Sequence, residues 1–135
     1  MPGASRNCSL DPSLSEHALA TVQAVMKSDI WWRAQASPHR LVQVPFQMSL
    51  PPDPAIPESV PTIVRGVVDL VFREGNGWVI VDYKTDARPE SELPQLVEHY
   101  RGQVETYANF WKTATGQPVA EIGLYFTCAG LYVRI

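Results

Sequence analysis

The sequence predicts an α/β sandwich, a mixed β-sheet with helices packed on its faces. Three observations lead there. Segments with strand-like and helix-like periodicity follow one another as helix–strand–strand–strand–helix–strand, and such an order suits a layered, mixed sheet. The two central strand segments, 62–73 and 77–84, are almost continuously apolar, as strands covered on both faces tend to be. Residues 94–115 carry a long apolar stripe at helical spacing.

Residues 1–12 read as a flexible tail and 13–135 as a single domain, since 135 residues suffice for one real core. Leu14, Ala18, Leu19, Val22, Val25 and Met26 recur at helical spacing, so 13–28 reads as an amphipathic helix capped by Ser13 or Asp11. Ile30, Trp31 and Trp32 follow as an aromatic knot expected to pack that helix on the sheet. Residues 40–48 alternate like a strand, and Pro45 within them points to an edge or a bulge. Residues 49–61 hold five prolines and read as a stiff exposed connector.

After the central strands, 85–93 reads as a polar loop. The helix over 94–115 buries Leu96, Val97, Tyr100, Val104, Tyr107, Ala108, Trp111 and Ala114. Pro94 suits its first turn, and Gly116 with Pro118 marks its end. Strands over 119–128 and 131–135 close the chain. Composition is ordinary for a globular protein, at 45% hydrophobic and 19% charged. No run of about 18 apolar residues is present, so no membrane span is expected. Met1 to Cys8 hold no apolar signal-peptide core, which makes the cytoplasm the expected location.

The chemistry concentrates in residues 66–86. Asp69 lies between Val68 and Leu70, Asp82 between Val81 and Tyr83, and Lys84 two residues further on. Buried charges are costly unless paired or bound to metal. A two-residue turn at Gly75-Asn76 sets Asp69 opposite Asp82. A turn at Asn76-Gly77 sets Asp69 opposite Lys84. Side chains alternate faces along a strand, so either register puts all three charges on one face. A three-residue loop would instead separate the aspartates. Two carboxylates about 5 Å apart at their β-carbons repel each other but can share a cation with hard oxygen ligands. On the long helix, Gln103 and Tyr107 are four apart and share a face, as a stripe-edge pair or as groups reaching over the charges.

Two cysteines are too few for a four-thiolate metal site, and His17, His39 and His99 show no ligand spacing.

Taken together these residues resemble the RecB-like nuclease domain at the C-terminus of AddA-type and UvrD-like DNA helicase–nucleases, within the PD-(D/E)XK nuclease superfamily. The resemblance rests on Gly66-Val-Val-Asp69-Leu, Val81-Asp82-Tyr83-Lys84-Thr85-Asp86 and Gln103-Val-Glu-Thr-Tyr107-Ala. Val44-Pro45-Phe46 and the stretch from Gly116 through Phe126 also fit, covering about residues 20–130. It implies a PD-(D/E)XK nuclease-like sandwich and a Mg²⁺- or Mn²⁺-dependent DNA (exo)nuclease serving double-strand-break repair or recombination. Asp69 and Asp82 would be the metal carboxylates, with the Tyr83 carbonyl as a further ligand. Lys84 would be the catalytic lysine, and Gln103 and Tyr107 would line a DNA strand, single-stranded in this reading.

The implied partner is a helicase motor, of which this domain would be a C-terminal piece. No nucleotide-binding Gly-x-x-x-x-Gly-Lys-Ser/Thr loop occurs, so the ATPase must lie on another segment or protein. The net charge of −3 and the lack of a basic run mean that metal and partner must supply much of the attraction for DNA. Two departures stand out. The family's upstream histidine in a Gly-x-x-x-His context has no counterpart, and Gln43 occupies the place of a glutamate before Val-Pro-Phe. They support an alternative, a catalytically degenerate module that guides DNA or scaffolds a helicase complex. A third reading is a structural domain with a buried Asp69–Lys84 ion pair.

Overall fold

The computed structural model describes the backbone of residues 12–135 and the side chains from residue 16 onward. The expected tail, apart from Pro12, and the Asp11 or Ser13 cap therefore lie outside the described residues. Helix α1 runs Pro12–Met26 and α2 Asp29–Ala36, followed by β1 (Arg40–Leu50), β2 (Thr62–Glu74) and β3 (Gly77–Lys84). A 3₁₀ turn over Glu90–Glu92 leads into α3 (Leu93–Thr115), then β4 (Val119–Phe126) and β5 (Leu131–Arg134).

The five strands form one sheet in the order β1-β2-β3-β4-β5. All neighbours are antiparallel except β3 and β4, which run parallel. A parallel neighbour needs a long crossover, and α3 supplies it between β3 and β4. The helix ends where Gly116 adopts φ +69°, a left-handed cap that costs glycine nothing.

Each face of the sheet carries its own core. On one side α3 places Leu96, Val104, Tyr107 and Trp111 against Val68, Val71, Trp78, Ile80, Leu124 and Phe126. On the other, Ile30 and Ala34 of α2 pack on Leu70, Phe72, Val79, Val81 and Tyr125. The apolar character of β3 thus reflects burial on both faces, as expected. In the first half of β2 it does not: Ile63 and Val67 are 56% and 41% exposed, because no helix of the described residues packs on that end of the second face.

The aromatic knot needs correction. It is a two-turn helix started by Ser28, whose hydroxyl accepts from the Trp31 N–H. The periodicity of α2 buries Ile30 and Ala34, four apart, and leaves Trp32 63% exposed. That short helix takes the position on the sheet expected for α1. Leu19, Val22 and Met26 of the α1 stripe consequently stay exposed, and among the described side chains of α1 Val25 reaches the second core.

Candidate active site

The register of the central hairpin is decided by Gly75. It sits at φ +60° as the first central residue of a two-residue turn, and Glu74 pairs with Gly77. A glycine in that position suits a type II′ turn. Pairing runs as far as Leu70 opposite Val81, and Asp69 and Asp82 are the next residues along the two strands. The Asn76-Gly77 alternative is not used, and neither is a three-residue loop.

Beyond Leu70 the ladder gives way to side chains. The Tyr83 N–H donates to Asp69 Oδ2 at 2.9 Å, which fixes one carboxylate oxygen on the backbone of β3. Across on β1, Gln43 adopts φ +52° and drops out of the pairing between Val42 and Val44. A left-handed glutamine within a strand is locally strained. Its Nε2 donates to Asp69 Oδ1 at 3.2 Å. The alternation of β2 breaks at the same place: Val68 and Val71, three apart, both join the α3-side core. The irregularity brings Val68 and Asp69 towards one side of the sheet.

Asp82 is the charged residue at the heart of the sandwich, 3% exposed. Its neighbours Ile80 and Lys84 alternate onto the same face, under α3. The Lys84 ammonium lies 2.7 Å from Asp82 Oδ2. Apart from this ion pair no other hydrogen bond reaches that buried oxygen. Burial, reinforced by Asp69, pushes the Asp82 carboxyl up to about 6 despite the opposing pull of Lys84. Two acids gather around one ammonium, with Asp82 buried and Asp69 and Lys84 half-buried.

Helix α3 holds the lysine from above. Lys84 Nζ donates to Gln103 Oε1 at 2.6 Å, and Gln103 Nε2 donates to the Tyr107 hydroxyl at 2.8 Å. The ammonium also stands 4.3 Å from the centroid of the Tyr100 ring. Burial first, then Asp82 and Asp69, raise the Tyr107 phenol above its ordinary value, so it remains a neutral donor near neutral pH. Of the expected site residues, Asp69, Asp82, Lys84, Gln103 and Tyr107 thus form one connected cluster, and Tyr83 joins it through its N–H. The reading of Gln103 and Tyr107 as groups over the charges agrees with this geometry.

Sequence reasoning gave no site role to Gly66, and it placed Tyr100 in the apolar stripe of the long helix alone. Phe46 of β1 pairs with Gly66, and a β-carbon on Gly66 would come within 2.7 Å of the Phe46 ring and 3.3 Å of Tyr107. The missing side chain lets Phe46 cross the strand and meet Tyr107 edge-on, at 5.3 Å between centroids. The glycine of the Gly-x-x-Asp motif therefore seats α3 over the aspartates. Nothing in the sequence beyond that motif signalled it.

The oxygen donors of this cluster fit a hard divalent cation. A buried carboxylate crowded by a second carboxylate, with one ammonium between two acids, is an arrangement such an ion can complete. Among the described residues no group of three or more His, Cys, Asp and Glu side chains gathers as a ligand set. No helix of the described residues is long and apolar enough to cross a membrane.

The comparisons with known proteins agree with this geometry. The family model described as the PD-(D/E)XK nuclease superfamily matches residues 4–135. An ATP-dependent helicase/nuclease subunit from Pelotomaculum thermopropionicum is 34% identical over 99 residues, covering 70% of this chain and 8% of that protein. Its namesake in Desulforamulus reducens is 33% identical over 114 residues, 80% of this chain and 9% of the relative. In Clostridioides difficile the identity is 43% over 63 residues, 47% of this chain and 5% of the relative. The chain thus spans less than a tenth of the length of these relatives. With the family model covering nearly its whole length and the acidic pair, lysine and helix glutamine in one cluster, this chain belongs to the PD-(D/E)XK nuclease superfamily.

Proposed function

We propose that this domain is a Mg²⁺- or Mn²⁺-dependent DNA nuclease that hydrolyses phosphodiester bonds of single-stranded DNA, with exonuclease action the finer expectation. It would work in the cytoplasm beside a helicase motor, in double-strand-break repair or recombination. Residues 13–135 would form the nuclease unit, a C-terminal piece of a larger helicase–nuclease. The names of the relatives, each a helicase/nuclease component, support that context. The single observation carrying the reading is the buried Asp82 carboxylate beside Asp69, with the Lys84 ammonium at 2.7 Å.

Asp69 and Asp82, with the Tyr83 carbonyl, would hold the metal. When bound, a divalent cation supplies Lewis acidity, lowering the pKa of water and offsetting phosphate charge. The chain's own residues do the rest. The Tyr83 N–H holds Asp69 in place. Lys84 presents a preorganised ammonium next to the metal carboxylates, where it can donate to a phosphate oxygen or orient the attacking water. Gln103 ties that ammonium to α3, and Gln103 with Tyr107 faces the path of a DNA strand.

Cleavage of a labelled single-stranded oligonucleotide, in Mg²⁺ and in chelator, tests the reading. The wild type should cut only with metal, and Lys84→Ala should lose most of that activity, about 10²–10³-fold. Equal rates in the two proteins, or cleavage in chelator, would overturn it.

A second reading has its own observation. Gln43 stands where the family carries a glutamate, and its amide donates to Asp69 rather than adding a third carboxylate. This favours a non-cleaving module that guides DNA or scaffolds a helicase complex. Calorimetric titration with Mn²⁺ separates the two. Binding that disappears in Asp82→Asn supports the nuclease, and no binding supports the module.

A further inference from the structure

Lys84 ends a strand with four rotatable bonds and a largely buried side chain, 15% exposed. A lysine side chain carries about 2 kcal/mol of rotamer entropy, so holding its ammonium at one point takes several constraints. Two are polar: Asp82 Oδ2 at 2.7 Å and Gln103 Oε1 at 2.6 Å. A third comes from a residue that the sequence places in the apolar stripe of α3. The Tyr100 ring centroid lies 4.3 Å from Lys84 Nζ, well inside the range in which an aromatic face attracts a cation. Tyr100 and Gln103 are three apart, one turn of α3, so they flank the same ammonium. The half-buried ring also takes up space that water would otherwise fill beside the amine.

We propose that Tyr100 is a positioning residue, its ring the floor that holds the Lys84 ammonium against Asp82 and Gln103. Its importance for catalysis rests on the role given to Lys84 above; the placement of the amine does not. The useful part of Tyr100 is the ring, so phenylalanine should replace it and an aliphatic side chain should not. Tyr107 has a different part, its hydroxyl accepting from Gln103 Nε2 at 2.8 Å.

The experiment compares wild type, Tyr100→Phe, Tyr100→Leu and Lys84→Ala with two readouts. The first is the NMR signal of the Lys84 ε-methylene, assigned by its loss in Lys84→Ala. An aromatic face this close should move it upfield in the wild type and in Tyr100→Phe, and it should return to the ordinary lysine position in Tyr100→Leu. The second is Mg²⁺-dependent cleavage of a single-stranded oligonucleotide. Tyr100→Leu should lower kcat about tenfold with little change in KM, and Tyr100→Phe should restore it. An unshifted ε-methylene in the wild type would overturn the proposal. So would wild-type kcat in Tyr100→Leu when Lys84→Ala is inactive. Should Lys84→Ala cut as well as wild type, the nuclease role of Lys84 fails, and the methylene shift alone decides whether Tyr100 holds the amine.

Discussion

Strands β2 and β3 carry a charge cluster at each end, and the two clusters are built on opposite rules. At the turn end, Arg33 of α2 forks onto Glu74 with contacts of 2.7 and 3.0 Å and onto Glu121 with contacts of 3.0 and 3.1 Å. The Tyr132 hydroxyl donates to Glu121 at 2.6 Å. Arg33 holds the Glu74 carboxyl below its usual range, and although burial pushes Glu121 the other way, Arg33 and Tyr132 keep it low too. At the far end, two aspartates share one lysine, and the more deeply buried acid has the Lys84 ammonium against one oxygen with no further hydrogen bond there. That acid is raised rather than lowered. The satisfied cluster is what a fold builds for itself. The unsatisfied one is what a fold tolerates when something else completes it.

Substitutions at either end put this contrast to the test. Activity should respond most, with Asp82→Asn cutting Mg²⁺-dependent cleavage by about 10²–10³-fold. At the other end Arg33→Ala should leave cleavage chemistry alone but strand Glu121, whose side chain is 10% exposed. Loss of about 1–3 kcal/mol in urea unfolding at pH 7 is expected, the figure kept modest because Arg33 and Glu74 are partly solvated. The pH dependence follows from sign. Carboxylates held low contribute stability above the ordinary carboxylate range and lose it as pH falls through their lowered values. Arg33→Ala should therefore flatten the acid side of the wild-type stability profile; an unchanged slope would sink the point.

Gly66→Val probes what joins the two halves, because the new side chain meets the Phe46 ring. A cost of about 1–3 kcal/mol should accompany a loss of activity as α3 lifts. Full activity at unchanged stability would show that the close approach does not matter.

The subtlest change is the most diagnostic. A carboxyl raised to about 6 contributes stability below its ordinary value near 4, and that stability is lost as pH rises through about 6. Asp82→Asn removes the loss, so without metal at pH 7 the variant should melt a few degrees above wild type, about 2–6 °C. Added Mg²⁺ should stabilise the wild type alone. A lower Tm for Asp82→Asn in chelator would mean that Lys84 needs Asp82 more than burial penalises it, and the contrast between the clusters would shrink.

Much of the candidate site was legible because strand alternation is a local rule. Asp69, Asp82 and Lys84 share a face under either two-residue register, and Gln103 with Tyr107 shares one by helical spacing. What local rules left open was which register obtains, and a single glycine at φ +60° settled it. The satisfied end was not legible at all. Arg33, Glu74 and Glu121 lie 41 and 88 residues apart in pairs that involve Arg33, with no motif to join them. The α2 helix was missed for a similar reason: eight residues give too little periodicity to separate a helix from an aromatic knot.

Spacing within single segments is enough to set the order of elements, the hairpin with its acidic pair, and the helix face that overlies it. Three outcomes needed the folded chain: that α2 rather than α1 lies on the sheet, that Gln43 leaves its strand to bond Asp69, and that Phe46 crosses Gly66 to seat α3. Those outcomes depend on how volumes and charges from distant segments fit together, and no pattern along a single segment records that fit.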